Sequence, residues 1–252
     1  MSLIAHDGAR YLVGTSGWHY DDWRGRFYPA DVPKARWLAF YARSFSTVEL
    51  NASFYRLPSE GALRSWYEQT PPGFLFAVKA SRLITHYRRL LDVAEALEVF
   101  CARARRLGEK LGPILYQLPP DLERDDERLE SFLAALPADL RHAVEFRHPS
   151  WFVEPIFAAL SRRGVAFCVF SMVGLACPLV ATASFAYFRF HGSAGRYGGS
   201  YGEESLAAWS TKITGLTPAG GKAYCYFNND ARAQAVGDAL TLRAKLHAAP
   251  PA

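Results

Sequence analysis

The chain has 252 residues, of which 50% are apolar and 21% charged, a composition typical of a soluble globular protein with a sizeable core. Its formal net charge of +5 permits an anionic ligand or a nucleic acid without demanding either. No stretch approaches about twenty uninterrupted apolar residues, so we expect no membrane span, and we expect no signal peptide. The 4 cysteines form no CxxC pair, which indicates reduced thiols in a cytoplasmic protein and no cysteine-bound zinc.

Apolar strand-like runs alternate with helix-like segments from one end of the chain to the other. The predicted strands are Leu12–Thr15, Thr47–Asn51, Phe74–Lys79, Ile114–Leu118, Ala143–Arg147, Val165–Phe170, Phe185–His191 and Ala223–Asn228. The predicted helical stretches between them include Lys34–Ser44, Leu90–Leu107, Glu127–Leu136, Pro155–Arg163, Ser205–Thr214 and Ala231–His247. This alternation, without a linker or a break in composition, predicts an α/β protein, a single (β/α)8 TIM-type barrel of parallel strands.

The predicted domain organisation is one barrel spanning 1–252, with a core over about 11–247 and terminal tails at 1–10 and 248–252. An open doubly wound sheet is the alternative fold. Neither GxGxxG nor GxxxxGK[ST] follows the first predicted strand, and this disfavours the alternative. The weakest stretch is 171–184, where we expect a short extra hairpin.

Polar residues interrupt the predicted strands at alternate positions. Glu49 lies between Val48 and Leu50, and Glu145 lies between Val144 and Phe146. Since successive side chains of a strand point to opposite faces, the apolar set should face the helices and the polar set the barrel lumen. The lumen set defined in this way is Glu49, Asn51, Lys79, Gln117, Glu145, Arg147, Arg189 and His191.

Most of the lumen set falls late in its strands, at the rim where barrel enzymes build their sites. This predicts a polar pocket for a ligand or for catalysis. The alternative is a structural ion network in which Glu49 and Glu145 only neutralise Lys79, Arg147 and Arg189, although such a network is costly to desolvate.

The loops expected on the same rim carry aromatic and small polar residues. They supply Thr15, Ser16, Gly17 and Trp18 after the first strand, Phe54 and Tyr55 after the second, and Trp151 after the fifth. An aromatic rim above a charged floor suits a flat ligand such as a base or a sugar. Packing beneath a long loop is the alternative for any single aromatic residue.

Three histidines, His86, His148 and His191, are expected at this rim. Histidine titrates near neutrality and suits general acid–base catalysis, although a lone loop histidine is more often a surface residue. His191 is the first candidate because it ends a strand.

Two further segments belong to the same rim. The glycine-rich stretch 192–202 could cradle a phosphate with its backbone amides or form a flexible lid. Asn228, Asn229 and Asp230 close the last strand and offer amides and a carboxylate, with a helix N-cap as the alternative role for Asp230.

Several residues of the predicted rim are of types that can bind a metal ion. Glu49, Glu145, His148, His191 and Asp230 are residue types that Zn²⁺, Mn²⁺ or Mg²⁺ accept as ligands. No HxH or HExxH pairs two histidines, and the neighbouring lysine and arginines would repel a cation. We therefore predict no metal site and no cofactor, with a divalent metal as the alternative.

Seven motifs identify a family resemblance. The chain is similar to the YecE-like family, domain of unknown function 72, through GTSGWHYDDWRGRFYP, FSTVELNASFYRLPS, FAVKASRLITH, LGPILYQLPP, VEFRHPSW, FRFHG and YCYFNND. The resemblance covers roughly 11–246 and implies a TIM-barrel-like fold without an established activity. The matching positions are Thr15, Ser16, Gly17, Trp18, Glu49, Asn51, Phe54, Tyr55, Lys79, His86, Gln117, Glu145, Arg147, Trp151, Arg189, His191, Asn228 and Asn229. Where the family often has an Asp after the sixth strand, this chain has Phe170-Ser171.

The first functional hypothesis is an enzyme, a hydrolase or a lyase, that acts on a phosphorylated, sugar or nucleotide-like substrate. His191 or His86 would be the acid or base, with Lys79 and the arginines holding the anion, and a Schiff base on Lys79 is a variant. The alternatives are a nucleic-acid-binding protein that resembles barrel endonucleases and a non-catalytic ligand sensor. The sequence indicates no oligomeric state.

Overall fold

The structure, a computed structural model, describes residues 9–195 and 197–248. In these ranges eight strands pair in parallel as one sheet, in the order β1-β8-β7-β6-β5-β4-β3-β2. The strands are β1 Tyr11–Thr15, β2 Thr47–Leu50, β3 Leu75–Lys79, β4 Leu111–Gln117, β5 His142–Glu145, β6 Ala166–Ser171, β7 Ala186–Phe190 and β8 Ala223–Phe227. The sheet curls into a nearly closed (β/α)8 barrel, which confirms the predicted fold class.

Helices surround this sheet. The α-helices of the described ranges are α1 Trp37–Tyr41, α2 Ala52–Tyr55, α3 Glu60–Gln69, α4 Ala94–Ala104, α5 Asp126–Ala134, α6 Glu154–Arg162, α7 Glu203–Leu216 and α8 Gln234–Ala248. The predicted list lacked α3, whose buried face is narrow because Leu63 is its one fully buried side chain. Within the described part of the chain, no helix has the length and apolar character needed to cross a bilayer.

The prediction of a hairpin within 171–184 is wrong. Between the end of β6 and the start of β7 the chain forms neither helix nor strand. The Thr182 hydroxyl instead accepts a hydrogen bond from Phe167 N (2.7 Å) and donates one to Val165 O (2.7 Å). The returning segment is thus tied to the start of β6 by a side chain, and it has no need of a strand ladder of its own.

The two faces of the strands separate as the alternation predicted. Residues such as Val48, Phe76 and Val144 are buried against the helices in the outer core. The amino-terminal half of the lumen is filled by a separate cluster that contains Leu12, Ala77, Leu115, Ala143, Ala166, Cys168, Phe185, Tyr187, Tyr224 and Tyr226. The charged side chains near the carboxyl ends therefore stand on a dry, packed floor.

The barrel closes between β1 and β2 through a side chain. An isolated bridge joins Ser16 to Glu49 at this seam. Below it, the Tyr41 hydroxyl accepts a hydrogen bond from Thr15 N (2.9 Å) and donates one to Thr47 O (3.1 Å). A Cβ on Gly14 would lie 2.3 Å from Thr47 O, so glycine is needed for the two strands to approach this closely.

Replacing this bridging hydroxyl should weaken the fold. Tyr41→Phe leaves the buried Thr15 amide without its acceptor, and we expect a loss of about 1–3 kcal/mol in the free energy of unfolding, measured by urea titration. Tyr224→Phe is the matched control, since the buried Tyr224 hydroxyl has no hydrogen-bond partner in the structure. Equal losses in the two variants would contradict a closing role for Tyr41.

Candidate functional site

A buried ion network spans the lumen at the carboxyl ends of the strands. Arg189, the last lumen-facing residue of β7, donates from Nη1 to Glu145 Oε2 (2.7 Å) and from Nη2 to Glu49 Oε1 (2.8 Å). The side chains of all three residues are at most 1% exposed. Arg189 therefore links β2, β5 and β7 across the barrel.

Both glutamates of this network have their oxygens occupied. Ser16 Oγ donates to Glu49 Oε1 (2.7 Å), and the Tyr187 hydroxyl donates to Glu49 Oε2 (2.7 Å). Arg147 Nε donates to Glu145 Oε1. Burial alone would favour the neutral acid, but the charges of Arg147 and Arg189 hold the pKa of Glu145 well below its usual value. This part of the lumen set is an anchored scaffold.

Arg147 has a looser set of partners than Arg189. Besides Glu145, its Nη2 donates to His191 Nε2 (2.9 Å) and its Nη1 approaches Met172 Sδ (2.8 Å). A thioether is a weak acceptor, so a phosphate or carboxylate oxygen could replace Met172 at Nη1 without loss. Arg147 is the arginine of the lumen set that suits an anionic ligand.

His191 is neutral and held on both sides. It lies one residue beyond β7, and burial, the largest effect, lowers the pKa of its ring to about 4 against the attraction of Glu145. Its Nε2 accepts from Arg147, and the Asn228 side-chain amide lies 3.3 Å from its Nδ1. A ring that accepts from Arg147 at Nε2 and carries no charge at neutral pH is better suited to positioning Arg147 than to moving protons.

Lys79 ends β3 on the lumen face and differs from the other charges. Its Nζ lies 4.2 Å from the centre of the Phe54 ring. No hydrogen bond or ion pair joins this amine to the described residues. Burial, the largest cause, and the charge of Arg189 together lower the pKa of Lys79 to about 7, against the opposing charges of Glu49 and Glu145. The lumen therefore presents an unpaired amine that titrates near neutrality.

His86 stands beside Lys79 on an unusual turn. Leu83–Tyr87 forms one π-helical turn, a geometry frequent at functional sites. The ring packs edge-on against Phe54 (centroids 4.9 Å apart), and its Nδ1 lies 2.9 Å from Thr85 Oγ1. Burial and the charge of Lys79 lower the pKa of His86. Phe54 thus brings together the lysine and the histidine.

The junction of β8, β1 and β2 carries a second group of polar side chains, Tyr20, Asn51 and Asp230. Asn51 was expected in the second strand, but it begins α2, and its Nδ2 donates to Ser16 O (3.2 Å). The Tyr20 hydroxyl donates to the same carbonyl and also faces the Asp230 carboxyl. Burial raises the pKa of Asp230 to about 7.

Several predicted site residues have structural partners instead. Trp151 is fully buried, stacks on Phe146 (4.7 Å) and donates to Leu122 O (2.7 Å), so the structure does not bring it to the rim. Asn229 is also buried, and it donates to Asp238 Oδ2 (2.7 Å).

The remaining predicted residues lie around the rim in mixed roles. His148 Nδ1 accepts from Ser150 N and caps the turn Pro149–Trp151. Thr15 serves the β1–β2 seam, and Trp18 packs edge-on against Trp66 (5.4 Å). The backbone of Gly17 has a positive φ of 95°, Gln117 Nε2 donates to Leu118 O (2.6 Å), and Tyr55 is 67% exposed.

The glycine-rich segment 192–202, apart from Arg196, which lies outside the described residues, folds back on itself. Gly192 N donates to the Tyr201 hydroxyl (3.2 Å), and Ala194 N donates to Gly198 O (3.0 Å). A Cβ on Gly192 would lie 2.1 Å from Gly198 O. With these amides occupied internally, the segment is a poor phosphate cradle as it stands.

Three residues of the site were not among the predicted site residues. Tyr187 shares the lumen face of β7 with Arg189, so alternation alone could have added it. Tyr20 lies in the first family-like motif, while nothing in the sequence marks Met172. Within residues 9–195 and 197–248, no three His, Cys, Asp or Glu side chains are grouped so as to hold a metal ion.

The chain is similar in sequence to a known protein family and to individual proteins. The family model described as "Protein of unknown function DUF72" matches residues 12–252. The chain is 33% identical over 131 residues to UPF0759 protein YecE of Escherichia coli K12, covering 50% of this chain and 48% of that protein. It is 31% identical over 153 residues to UPF0759 protein YunF of Bacillus subtilis, covering 58% and 53%. The chain thus spans about half the length of the curated relatives it matches.

Solved structures share the architecture. A DUF72 family protein from Thermotoga maritima superposes with a TM-score of 0.85 at 31% identity, covering 95% of this chain and 100% of that one. A DUF72 family protein from Enterococcus faecalis gives a TM-score of 0.79 at 18% identity, covering 95% and 96%. A methyltransferase from Methanosarcina mazei, at a TM-score of 0.52 and 13% identity over 94% of each chain, shows the fold alone.

Proposed function

The chain belongs to the DUF72 family of proteins of unknown function, and from that premise we propose that it is an enzyme with a small anionic substrate bound at the carboxyl ends of the barrel strands. The reaction class we propose is that of a hydrolase or a lyase acting on a phosphorylated, sugar or nucleotide-like compound. Four unpaired cysteines support a cytoplasmic setting.

The observation that carries this proposal is the Lys79 amine. Both Nη atoms of Arg189 have a carboxylate partner, whereas the neighbour of the Lys79 amine is an aromatic ring. A buried amine with a pKa of about 7 is a large fraction free base at neutral pH, which is the form that attacks a carbonyl or accepts a proton. A structural lysine would gain nothing from this arrangement.

The neighbours of Lys79 supply the other roles. Arg147 would take the anionic group of the substrate at Nη1, with Glu145 and His191 fixing the guanidinium. The half-buried His86 contacts the same Phe54 ring as Lys79 and would pass protons to and from the reacting atoms.

For a substrate with a carbonyl group the covalent step balances without a cofactor. The Lys79 nitrogen adds to the carbonyl carbon and passes one of its protons to the carbonyl oxygen. A second proton, delivered by a general acid, lets that oxygen leave as water and leaves a protonated C=N bond. The resulting iminium withdraws electrons from the adjacent carbon, as lyase chemistry requires.

Borohydride trapping tests the reacting amine. The protein is incubated with dihydroxyacetone phosphate, reduced with sodium borohydride and digested, and we expect mass spectrometry to find the adduct on Lys79. Labelling should be absent in Lys79→Met and should increase as the pH rises through about 7. Lys212, an exposed lysine 4.6 Å from the Trp209 ring, is the matched internal control.

Two results would count against this function. Equal labelling of Lys79 and Lys212 would contradict a special amine, and tight anion binding with no adduct and no turnover would favour the ligand sensor instead.

A second candidate, nucleic-acid binding, is favoured by one surface cluster. Tyr55 and Tyr87 are 67% and 64% exposed, and the Arg82 guanidinium lies 5.7 and 5.2 Å from their rings. Exposed aromatic rings beside arginine are what single-stranded nucleic acids stack on. Oligonucleotide binding that weakens steeply with salt and disappears in Tyr87→Ala would favour this candidate over the enzyme.

A further inference from the structure

The wall of the site formed by β8, β1 and β2 carries acceptors that no residue within 9–195 and 197–248 satisfies. Asn51 Oδ1 and Asp230 Oδ1 are both buried without a hydrogen-bond partner. Buried polar atoms in folded proteins are almost always hydrogen-bonded, because an unpaired atom has lost its hydrogen bonds to water without gaining others. Two such oxygens at one rim are therefore a feature to explain.

The surrounding hydrogen bonds fix these two oxygens in place. Asn51 Nδ2 and the Tyr20 hydroxyl both donate to Ser16 O, so the amide is held with its oxygen turned away from that carbonyl. Trp23 Nε1 donates to the Asp230 backbone oxygen (2.7 Å) and holds the residue against the Tyr20 hydroxyl. Tyr20, Asn51 and Asp230 form the acceptor group.

The buried ion network next to the acceptor group shows how the protein supplies hydrogen-bond donors to a buried carboxylate. Glu49 has Ser16, Tyr187 and Arg189 as donors to its two oxygens. Asp230 has no cation within salt-bridge distance in the described structure, and burial raises the pKa of its carboxyl to about 7. A structural carboxylate would have been paired in the same way as Glu49.

We propose that the acceptor group is a subsite for the hydroxyl groups of the substrate, so that the substrate is a polyhydroxylated, sugar-like anion. The proposal rests on the function proposed above and narrows its substrate class. Each unpaired oxygen accepts one O–H, and the Asp230 carboxyl lies beside the Tyr20 hydroxyl. The hydroxyl-bearing end lies toward β8, β1 and β2, and the anionic end lies toward Arg147 after β5.

Isothermal titration calorimetry with matched phosphates tests this subsite. The panel is ribose 5-phosphate, glucose 6-phosphate and glycerol 3-phosphate, with methyl phosphate and inorganic phosphate as hydroxyl-poor references. We expect at least one hydroxylated member to bind about tenfold or more tightly than methyl phosphate, the gain of one well-made hydrogen bond to a buried acceptor.

Variants separate the subsite from the anion site. Asp230→Ala should abolish the preference for the hydroxylated phosphate and leave the affinity for methyl phosphate within about twofold, whereas Arg147→Gln should weaken both. Asp31→Ala, at an exposed carboxylate, is the control and should change neither. The melting temperature of Asp230→Ala should not fall, because the substitution removes an unpaired buried carboxyl.

Each outcome decides a separate point. If no hydroxylated phosphate exceeds methyl phosphate, or if Asp230→Ala keeps the preference, the subsite is overturned even where Arg147-dependent phosphate binding persists. If the preference depends on Asp230 but borohydride traps nothing on Lys79, the subsite stands and the proposed reaction fails.

Discussion

Arg189→Met is expected to lower the free energy of unfolding at pH 7 by about 3–5 kcal/mol. Arg189 neutralises Glu49 and Glu145 together, and all three side chains are excluded from water. Removing the guanidinium leaves two buried carboxylates facing each other with Arg147 as the remaining close cation on the Glu145 side. Urea unfolding followed by circular dichroism measures the loss.

The surface pair Arg105–Asp139 is the matched control for this prediction. Arg105 contacts both oxygens of Asp139, an arginine–carboxylate contact like those in the lumen but largely exposed. Arg105→Met should cost less than about 1 kcal/mol. The double change Glu49→Gln and Arg189→Met should recover part of the loss, since Glu145 keeps its pair with Arg147 and Glu49 no longer carries a charge. A loss for Arg189→Met as small as that for Arg105→Met would mean that water reaches the lumen charges.

Lys79→Met is expected to stabilise the protein at pH 6 by roughly 2–4 kcal/mol, after allowance for the partial exposure of Lys79. The pKa of this amine is about 7 in the fold, against 10.5 for an ordinary lysine. Below pH 7 the amine is charged in both states and its burial is a penalty. Between pH 7 and 10.5 the unfolded chain holds the extra proton, so the stability of the wild type rises with pH and the advantage of the variant shrinks.

Unfolding curves at pH 6, 8 and 10 for the two proteins measure this trend, because other titrating groups cancel in the difference. Lys212→Met is the control, since it removes an exposed lysine that also lies over an aromatic ring. It should show no comparable dependence on pH. If Lys79→Met destabilises the protein at pH 6, Lys79 has a structural role and the proposal that its amine reacts loses its support.

The agreement between the predicted and observed positions of the lumen charges has a simple cause. Glu49, Glu145 and Arg189 lie within strands, where successive side chains point to opposite faces of the sheet. Alternation along the sequence therefore placed all three in the lumen correctly. The rim residues beyond the strand ends did not follow this rule. Trp151 turned into the outer core and Asn51 entered a helical turn, because loop direction depends on contacts distant in sequence.

The residue types alone did not predict the role of each residue within the candidate site. His191 ranked first as an acid or base by residue type, yet burial beside Arg147 leaves its ring neutral and engaged. Lys79 and Arg189 are both basic residues late in a predicted strand, so the sequence does not distinguish them. In the structure a carboxylate from another strand contacts Arg189, whereas the neighbour of Lys79 is an aromatic ring.

The order of apolar and polar residues along the chain was enough to determine the parallel barrel and the set of charges in its lumen, because strand geometry converts sequence position directly into a face. The three-dimensional arrangement alone decided which charges are paired, which amine lacks a partner among the described residues, how Tyr41 closes the seam and which buried oxygens are left unpaired there. Those properties depend on distances between residues far apart in the chain, and a pKa or a hydrogen bond changes over an ångström that no local pattern specifies.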